Sequence, residues 1–193
     1  HIMKISVWSH YFSGLSPEEK VKAFAECGYH YSELSTEDGD ELLTRGNPER
    51  VGKEFGQFAA DHGKNFLQGH LNLQANILNR AHVDALKVWL DLFHAVGVKN
   101  CALHYGRGKD LNIPPERLLA ARARAISKLT EHISGTDMYI CLENISAKYD
   151  SNCDVLLDII KAAGNEHLGI CLDTGHLNLA GGNPAQFIVQ AGP

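Results

Sequence analysis

Apolar and polar positions in this chain follow two alternating periods. Short, nearly unbroken apolar runs recur, separated by longer segments whose apolar residues return every three or four positions. The first kind predicts strands covered on both faces, and the second predicts amphipathic helices. The strand-like runs are Lys4-Ile5-Ser6-Val7-Trp8-Ser9 before His10, Tyr31-Ser32 before Glu33, and Phe66-Leu67-Gln68-Gly69 before His70. Three more follow: Cys101-Ala102-Leu103 before His104, Tyr139-Ile140-Cys141-Leu142 before Glu143, and Gly169-Ile170-Cys171-Leu172 before Asp173, with His176 three residues on. Every run therefore ends in a side chain that can carry a proton or hold a metal.

The helical segments mark their own ends. Ser16-Pro17-Glu18-Glu19 sets a capping serine before proline at the first helical position and a glutamate three residues after the cap; Val21, Phe24 and Ala25 give the buried face, and Gly28 the stop. A stripe from about residue 80 to 96 carries Leu86, Trp89, Leu92, Phe93 and Val96, closed by Gly97. A third stripe starts at Pro115 and carries Leu118, Leu119, the stem of Arg122, Ile126, Leu129 and Ile133. A fourth, from Asp154, carries Val155, Leu156, Ile159, Ile160 and Ala163, closed by Gly164. A last helix is signalled by Asn183-Pro184 and closed by Gly192-Pro193.

This β-α repeat, six times over at about 25 to 40 residues per unit, predicts parallel strands joined by right-handed crossovers. The turn after the first strand, Ser9-His10-Tyr11-Phe12-Ser13-Gly14, has no G-x-G-x-x-G pattern, and an open doubly wound sheet concentrates its site at one switch point. Functional residues at every strand end fit a (β/α) TIM-type barrel instead, in which the carboxyl ends of the strands share one face. A full barrel takes about 250 residues. The expected fold is therefore α/β, a single domain over residues 3–193 with about six of eight β-α units, ending before strands seven and eight. Two strands without neighbours would favour a homo-oligomer. His1-Ile2 before Met3 read as vector-derived residues.

Composition narrows the function. The 193 residues are 44% hydrophobic and 21% charged, with a formal net charge of −5, so nothing steers the surface toward nucleic acid or anionic lipid. The basic cluster at 117–124 sits on a helical pattern and reads as a solvated face. No run approaches the roughly 18 apolar residues of a membrane span, and no signal peptide opens the chain. Five cysteines without C-x-x-C spacing, three of them in apolar strand runs, fit reduced thiols in a cytoplasmic protein.

Glu143 and Asp173 are the two carboxylates at the ends of adjacent apolar strands. Unpaired charge there is costly, and a divalent cation between them, Mn²⁺, Mg²⁺, Co²⁺ or Zn²⁺, relieves both; capping a helix or pairing with an arginine is the structural alternative. His176 is a substrate-binding or ligand-supporting imidazole, or a hydrogen-bonded loop residue. His70 and His104, each alone as readily a core-edge histidine, together face the same mouth. Trp8, His10, Tyr11 and Phe12 could wall a pocket, with core packing the alternative for Trp8 and Phe12, and Glu33 is a further substrate-binding candidate. Gly106-Arg107-Gly108-Lys109 could hold an anion but lacks a Walker pattern and reads better as a solvated loop. His62, His82, His94 and His132 read as surface. There is no G-x-S-x-G nucleophile turn.

Met3-Lys4-Ile5, the strand-ending His70 and His104, Leu142-Glu143-Asn144, Leu172-Asp173-Thr174-Gly175-His176-Leu177 and Ala180-Gly181-Gly182-Asn183-Pro184 together resemble the xylose-isomerase-like TIM-barrel superfamily across essentially the whole chain. That resemblance implies a sugar or sugar-phosphate isomerase or epimerase. Its metal is held by Glu on strand five, Asp on strand six, His on strand seven and Glu on strand eight. Glu143 and Asp173 match the first two. His176 matches the family's substrate-contacting histidine, and the last two ligands have no counterpart, so metal binding and turnover are expected to be weak or absent. The resemblance implies proton transfer by Glu143 through an enediolate, with a small sugar-like ketone as partner. The superfamily also contains abasic-site nucleases of the endonuclease IV type; the acidic charge speaks against that class, and a non-catalytic binding barrel is the remaining alternative.

Overall fold

The computed structural model describes residues 3–146 and 152–192; His1-Ile2 and the Pro193 of the expected final stop lie outside them. Six strands alternate with helices in two compact units, His1–Leu73 with Ala85–Cys101, and Gln74–Asp84 with Ala102–Pro193.

In the first unit, β1 (Val7–Trp8) pairs parallel with β2 (Tyr31–Leu34), placing Val7 against Ser32 and Trp8 against Glu33. β2 pairs parallel with β3 (Asn65–His70), with a register shift between Ser32 and Glu33. Helix α1 (Pro17–Glu26) opens with the expected capping box: the Ser16 hydroxyl accepts from Glu19 N–H, and the Glu19 carboxylate accepts from Ser16 N–H. Between β2 and β3 the chain forms two helices, α2 (Thr36–Thr44) and α3 (Pro48–Asp61), capped by Ser35 and Asn47. Most of α4 (Arg80–Val96) packs here through Leu86, Leu92 and Phe93, all buried. Two glycines permit that packing. A Cβ on Gly69 of β3 would stand 2.4 Å from the Phe93 ring, and one on Gly56 of α3 would stand 2.7 Å from the Val96 carbonyl oxygen.

The first strand is shorter than its apolar run, because Ile5 is 70% exposed and the pairing begins only at Val7. The second runs one residue past the expected end, so Glu33 lies within β2 rather than at its tip, accepting a hydrogen bond from Gln68 of β3.

The second unit takes the end of β4 (Asn100–Leu103) and then α5 (Pro115–His132), β5 (Tyr139–Glu143), α6 (Cys153–Ala163), β6 (Leu168–Cys171), α7 (Thr174–Leu179) and α8 (Pro184–Ala191). β5 and β6 are parallel, with Ile140 against Leu168 and Glu143 against Cys171. Burial on both faces holds for the end of β4 and for Ile140, Leu142 and Glu143 of β5, whereas all four residues of β6 are half-buried. The Gly106-Arg107-Gly108-Lys109 segment is only partly a solvated loop. Gly106, at φ +85°, and Gly108 are buried, and the buried Arg122 donates to the Gly106 carbonyl at 2.9 Å while stacking on Tyr105. His94 and His132 are at the surface, but His62 and His82 are half-buried, and His82 Nδ1 accepts from Asn76 N–H at 2.9 Å. Cys101 and Cys153 are buried, and Cys27 is exposed.

Candidate active site

In the second unit the ends of β5 and β6 are joined by a side chain. Asn144, fully buried, follows Glu143; its amide group donates to the Asp173 carbonyl at 2.9 Å, and its Oδ1 accepts from Asp173 N–H at 2.7 Å. This reciprocal pair extends the parallel register beyond the last backbone rung and sets Glu143 beside Asp173.

Asp173 stands at the N-cap of α7, where its Oδ1 accepts from His176 N–H at 2.6 Å. The helix-cap alternative is thus realised at this carboxylate through one oxygen, and the other, Oδ2, lies 3.7 Å from His176 Nδ1. Two residues separate Asp173 from the His176 it caps, so one turn of α7 brings the imidazole back over the strand ends. His176 Nδ1 is 3.0 Å from the Asn144 carbonyl. A carbonyl only accepts, so Nδ1 is the donor in this contact.

Glu143 is buried, 6% exposed, and lies between two imidazoles: His176 Nδ1 is 3.5 Å from one oxygen, and His104 Nε2, just past β4, is 3.5 Å from the other. Both distances are longer than an ordinary hydrogen bond. Glu143, Asp173 and His176 each bring a donor atom within 4.8 Å of the others. Ligands about 2.1 Å from one tetrahedral ion stand roughly 3–4 Å apart, so small side-chain movements suffice to hold a divalent cation. With His176 Nδ1 turned to the Asn144 carbonyl, the two carboxylates are the members of the set left for a cation, and such oxygen ligands suit Mn²⁺, Mg²⁺, Co²⁺ or Zn²⁺.

The remaining sequence candidates belong to the first unit. His70 ends β3, and its Nδ1 donates to the Leu71 carbonyl at 2.7 Å. Trp8 is 48% and Tyr11 72% exposed, so neither is held in a closed wall. His10 packs edge-on to Trp8, ring centroids 5.5 Å apart. Its Nδ1 lies 3.3 Å from the Nζ of Lys20, a residue with no signal beyond its place on the apolar stripe of α1 with Val21 and Phe24. Lys20 and Asp38 are both buried and form an ion pair at 2.5 Å.

A parallel β-α repeat whose strand ends carry a buried carboxylate, Glu143, beside a half-buried carboxylate and imidazole, Asp173 and His176, is a (β/α) barrel-type arrangement. Over residues 21–192 the chain matches the xylose isomerase-like TIM barrel family, and it belongs to that family. No curated protein matches it in sequence. Among solved structures, the D-psicose 3-epimerase of Clostridium cellulolyticum H10, determined with D-tagatose, is similar with a TM-score of 0.81 at 13% identity, covering 98% of this chain and 70% of that one. A D-tagatose 3-epimerase-like protein gives 0.77 at 20% identity over 98% and 71% of the two chains. The 3-keto-D-glucoside 4-epimerase YcjR of E. coli, in its apo form, gives 0.77 at 15% identity over 98% and 75%. At these identities the likeness is one of fold.

Proposed function

We propose that this chain carries an acid/base site of a metal-assisted isomerase or epimerase acting on a ketose or a related polyhydroxy ketone. The observation that carries the reading is Glu143, a buried carboxylate between two imidazoles and within cation-sharing distance of Asp173. Glu143 and Asp173 would hold the cation, which would supply polarisation of the ketose carbonyl and hydroxyl oxygens. Structural neighbours named as a D-psicose 3-epimerase and a D-tagatose 3-epimerase-like protein support the same substrate class.

Glu143 takes the proton from the carbon beside the carbonyl. The C–H bond breaks, its electron pair forms the enediolate, and the proton passes to a Glu143 oxygen, where it exchanges with solvent before one is returned to carbon. His104 and His176 flank the two oxygens at 3.5 Å and steer the carboxyl. His176 has Nε2 left for a substrate hydroxyl, and Asn144 holds both strand ends in place. Return of a proton to the same face gives isotope exchange without inversion, a reaction that needs one acid/base group, Glu143.

The test is carbon-bound hydrogen exchange in D₂O with Mn²⁺ and D-fructose, D-tagatose or D-psicose, followed by proton NMR. Loss of the signal from the carbon beside the carbonyl is expected, slowed at least about 100-fold by Glu143→Gln. No exchange with any of the three ketoses, or exchange unaffected by the substitution, would overturn the reading.

A further inference from the structure

The proposed reaction gives no part to one buried cation of the second unit. Arg122 of α5 is 7% exposed, and its guanidinium turns in upon the segment that follows β4. Nη2 donates to the Gly106 carbonyl at 2.9 Å and Nε to the same oxygen at 3.3 Å, while the guanidinium carbon lies 4.7 Å from the centre of the Tyr105 ring. Tyr105 itself is 1% exposed. Taking a guanidinium out of water is costly. This one makes its contacts with two consecutive residues, the two that come directly after His104.

Neighbouring contacts fix the same stretch. Gly106 stands at φ +85°, a left-handed conformation that suits glycine, and a Cβ there would meet Asn76 Oδ1 and Ile77 Cγ1, each at 2.9 Å. The Asn76 amide group donates to the Arg107 carbonyl at 3.0 Å, and Asn76 is held in turn through its N–H, which donates to His82 Nδ1 at 2.9 Å. Residues 105 to 107 are therefore tied one after another: Tyr105 under the guanidinium, Gly106 by Arg122, and Arg107 by Asn76. His104 leads directly into them. Its Nε2 is 3.5 Å from Glu143 and its side chain is 29% exposed, so the ring takes its position from the backbone that carries it as well as from its neighbours.

We infer that Arg122 is a positioning residue: by clamping Tyr105 and Gly106 it fixes the turn after β4 and holds His104 against Glu143. That His104 steers a proton-transferring carboxylate rests on the proposed function; the clamp does not. The planar fork of arginine is what the place demands, because two N–H groups converge on one carbonyl while the flat face covers a ring. A lysine would keep the charge and supply only one of the two contacts. Groups that act on a substrate must be held to within about 0.5 Å of the productive geometry, and a displacement of about 1 Å costs on the order of 100-fold in rate. An arginine that acts through the backbone can therefore govern turnover.

The experiment compares wild type, Arg122→Met and Arg122→Lys in the full chain, with Arg124→Met, at an exposed position of the same helix, as the control. Long-range ¹H–¹⁵N spectra read the His104 ring against the His167 ring, whose Nδ1 meets the Met138 carbonyl at 2.8 Å at the amino ends of β5 and β6. In both Arg122 variants the His104 signals are expected to shift or broaden while those of His167 stay as in wild type, and Arg124→Met should leave both rings unchanged. With Mn²⁺ and the ketose that wild type exchanges, the saturated exchange rate should fall roughly 10- to 100-fold in Arg122→Met. Mn²⁺ affinity should stay as in wild type, because Glu143 and Asp173 are set by Asn144. His104 signals unchanged in the Arg122 variants, His104 and His167 disturbed alike, or Mn²⁺ affinity lost in step with the rate would each overturn the inference. Should Arg122→Met not fold, the same readouts on Arg122→Lys decide. If wild type exchanges no ketose, the proposed function fails and the ring spectra still decide the clamp.

Discussion

At the residue scale the site turns on carboxylates with divided duties. Asp173 caps α7 with Oδ1 and turns Oδ2 toward His176, so its two roles separate by substitution. Asn is as good a cap as Asp. Asp173→Asn should leave the unfolding midpoint near wild type while abolishing Mn²⁺ binding by titration calorimetry, and Asp173→Ala should lose both, at about 1 kcal/mol for the cap. Mn²⁺ binding unchanged in both Glu143→Gln and Asp173→Asn would remove the metal assignment. Asn144→Ala leaves a buried N–H and C=O unpaired and should cost about 2–4 kcal/mol in urea unfolding. A different residue governs alkaline behaviour. Lys64 is 1% exposed, donates to the Tyr29 carbonyl at 2.7 Å, and is pushed by burial down to about 8. Between that value and the ordinary 10.5, the unfolded chain holds a proton that the folded chain has released, so Lys64 adds stability as pH rises through this window. Below it both states are protonated and the burial penalty is fully present. Wild type should gain about 1–3 kcal/mol on Lys64→Met between pH 7 and pH 10, measured by urea unfolding at both; a flat difference would contradict it.

At the element scale the caps were legible and the contacts were not. Ser16-Pro17 and the glutamate that completes the box form the N-terminus of α1 as read, and α4 spans the expected stripe, because capping and helical periodicity depend only on neighbours three and four residues away. The pair α2 and α3 was not resolved from the sequence; Ser35 and Asn47-Pro48 are the start signals that could have found it. Glu33 shows the opposite failure. Its run suggested a strand end, but pairing with β3 carries β2 through to Leu34, and strand length is set by the partner strand. The close seam between α3 and α4 also needed coordinates. Gly56→Ala places a methyl 2.7 Å from the Val96 carbonyl and should destabilise by about 1–3 kcal/mol, whereas Gly63→Ser, with open space around its Cβ, pays only for its left-handed backbone at φ +69°. Thermal unfolding of the two variants compares crowding with backbone strain directly.

For the whole molecule, net charge is the decisive quantity. At −5 the chain offers little to a phosphate backbone, whose binding is governed by cation release. An abasic-site duplex should show no retarded complex in a gel shift at physiological salt. A salt-sensitive complex at sub-micromolar protein would restore the nuclease class. No helix among the described residues is long and apolar enough to cross a membrane.

The sequence by itself determined the alternation of strand and helix, the family, and the position of Glu143, Asp173, His70 and His104 at or just beyond strand ends. These follow from apolar periodicity and local capping, which are written in neighbouring residues. Tertiary structure decided which side chains meet. Asn144 reaches Asp173 across 29 positions, and Lys20 reaches Asp38 across 18, in pairings that no local period encodes. It also decided what each imidazole faces: His176 Nδ1 meets the Asn144 carbonyl and His10 Nδ1 the Lys20 amine, and only the packing of distant elements brings those neighbours into place.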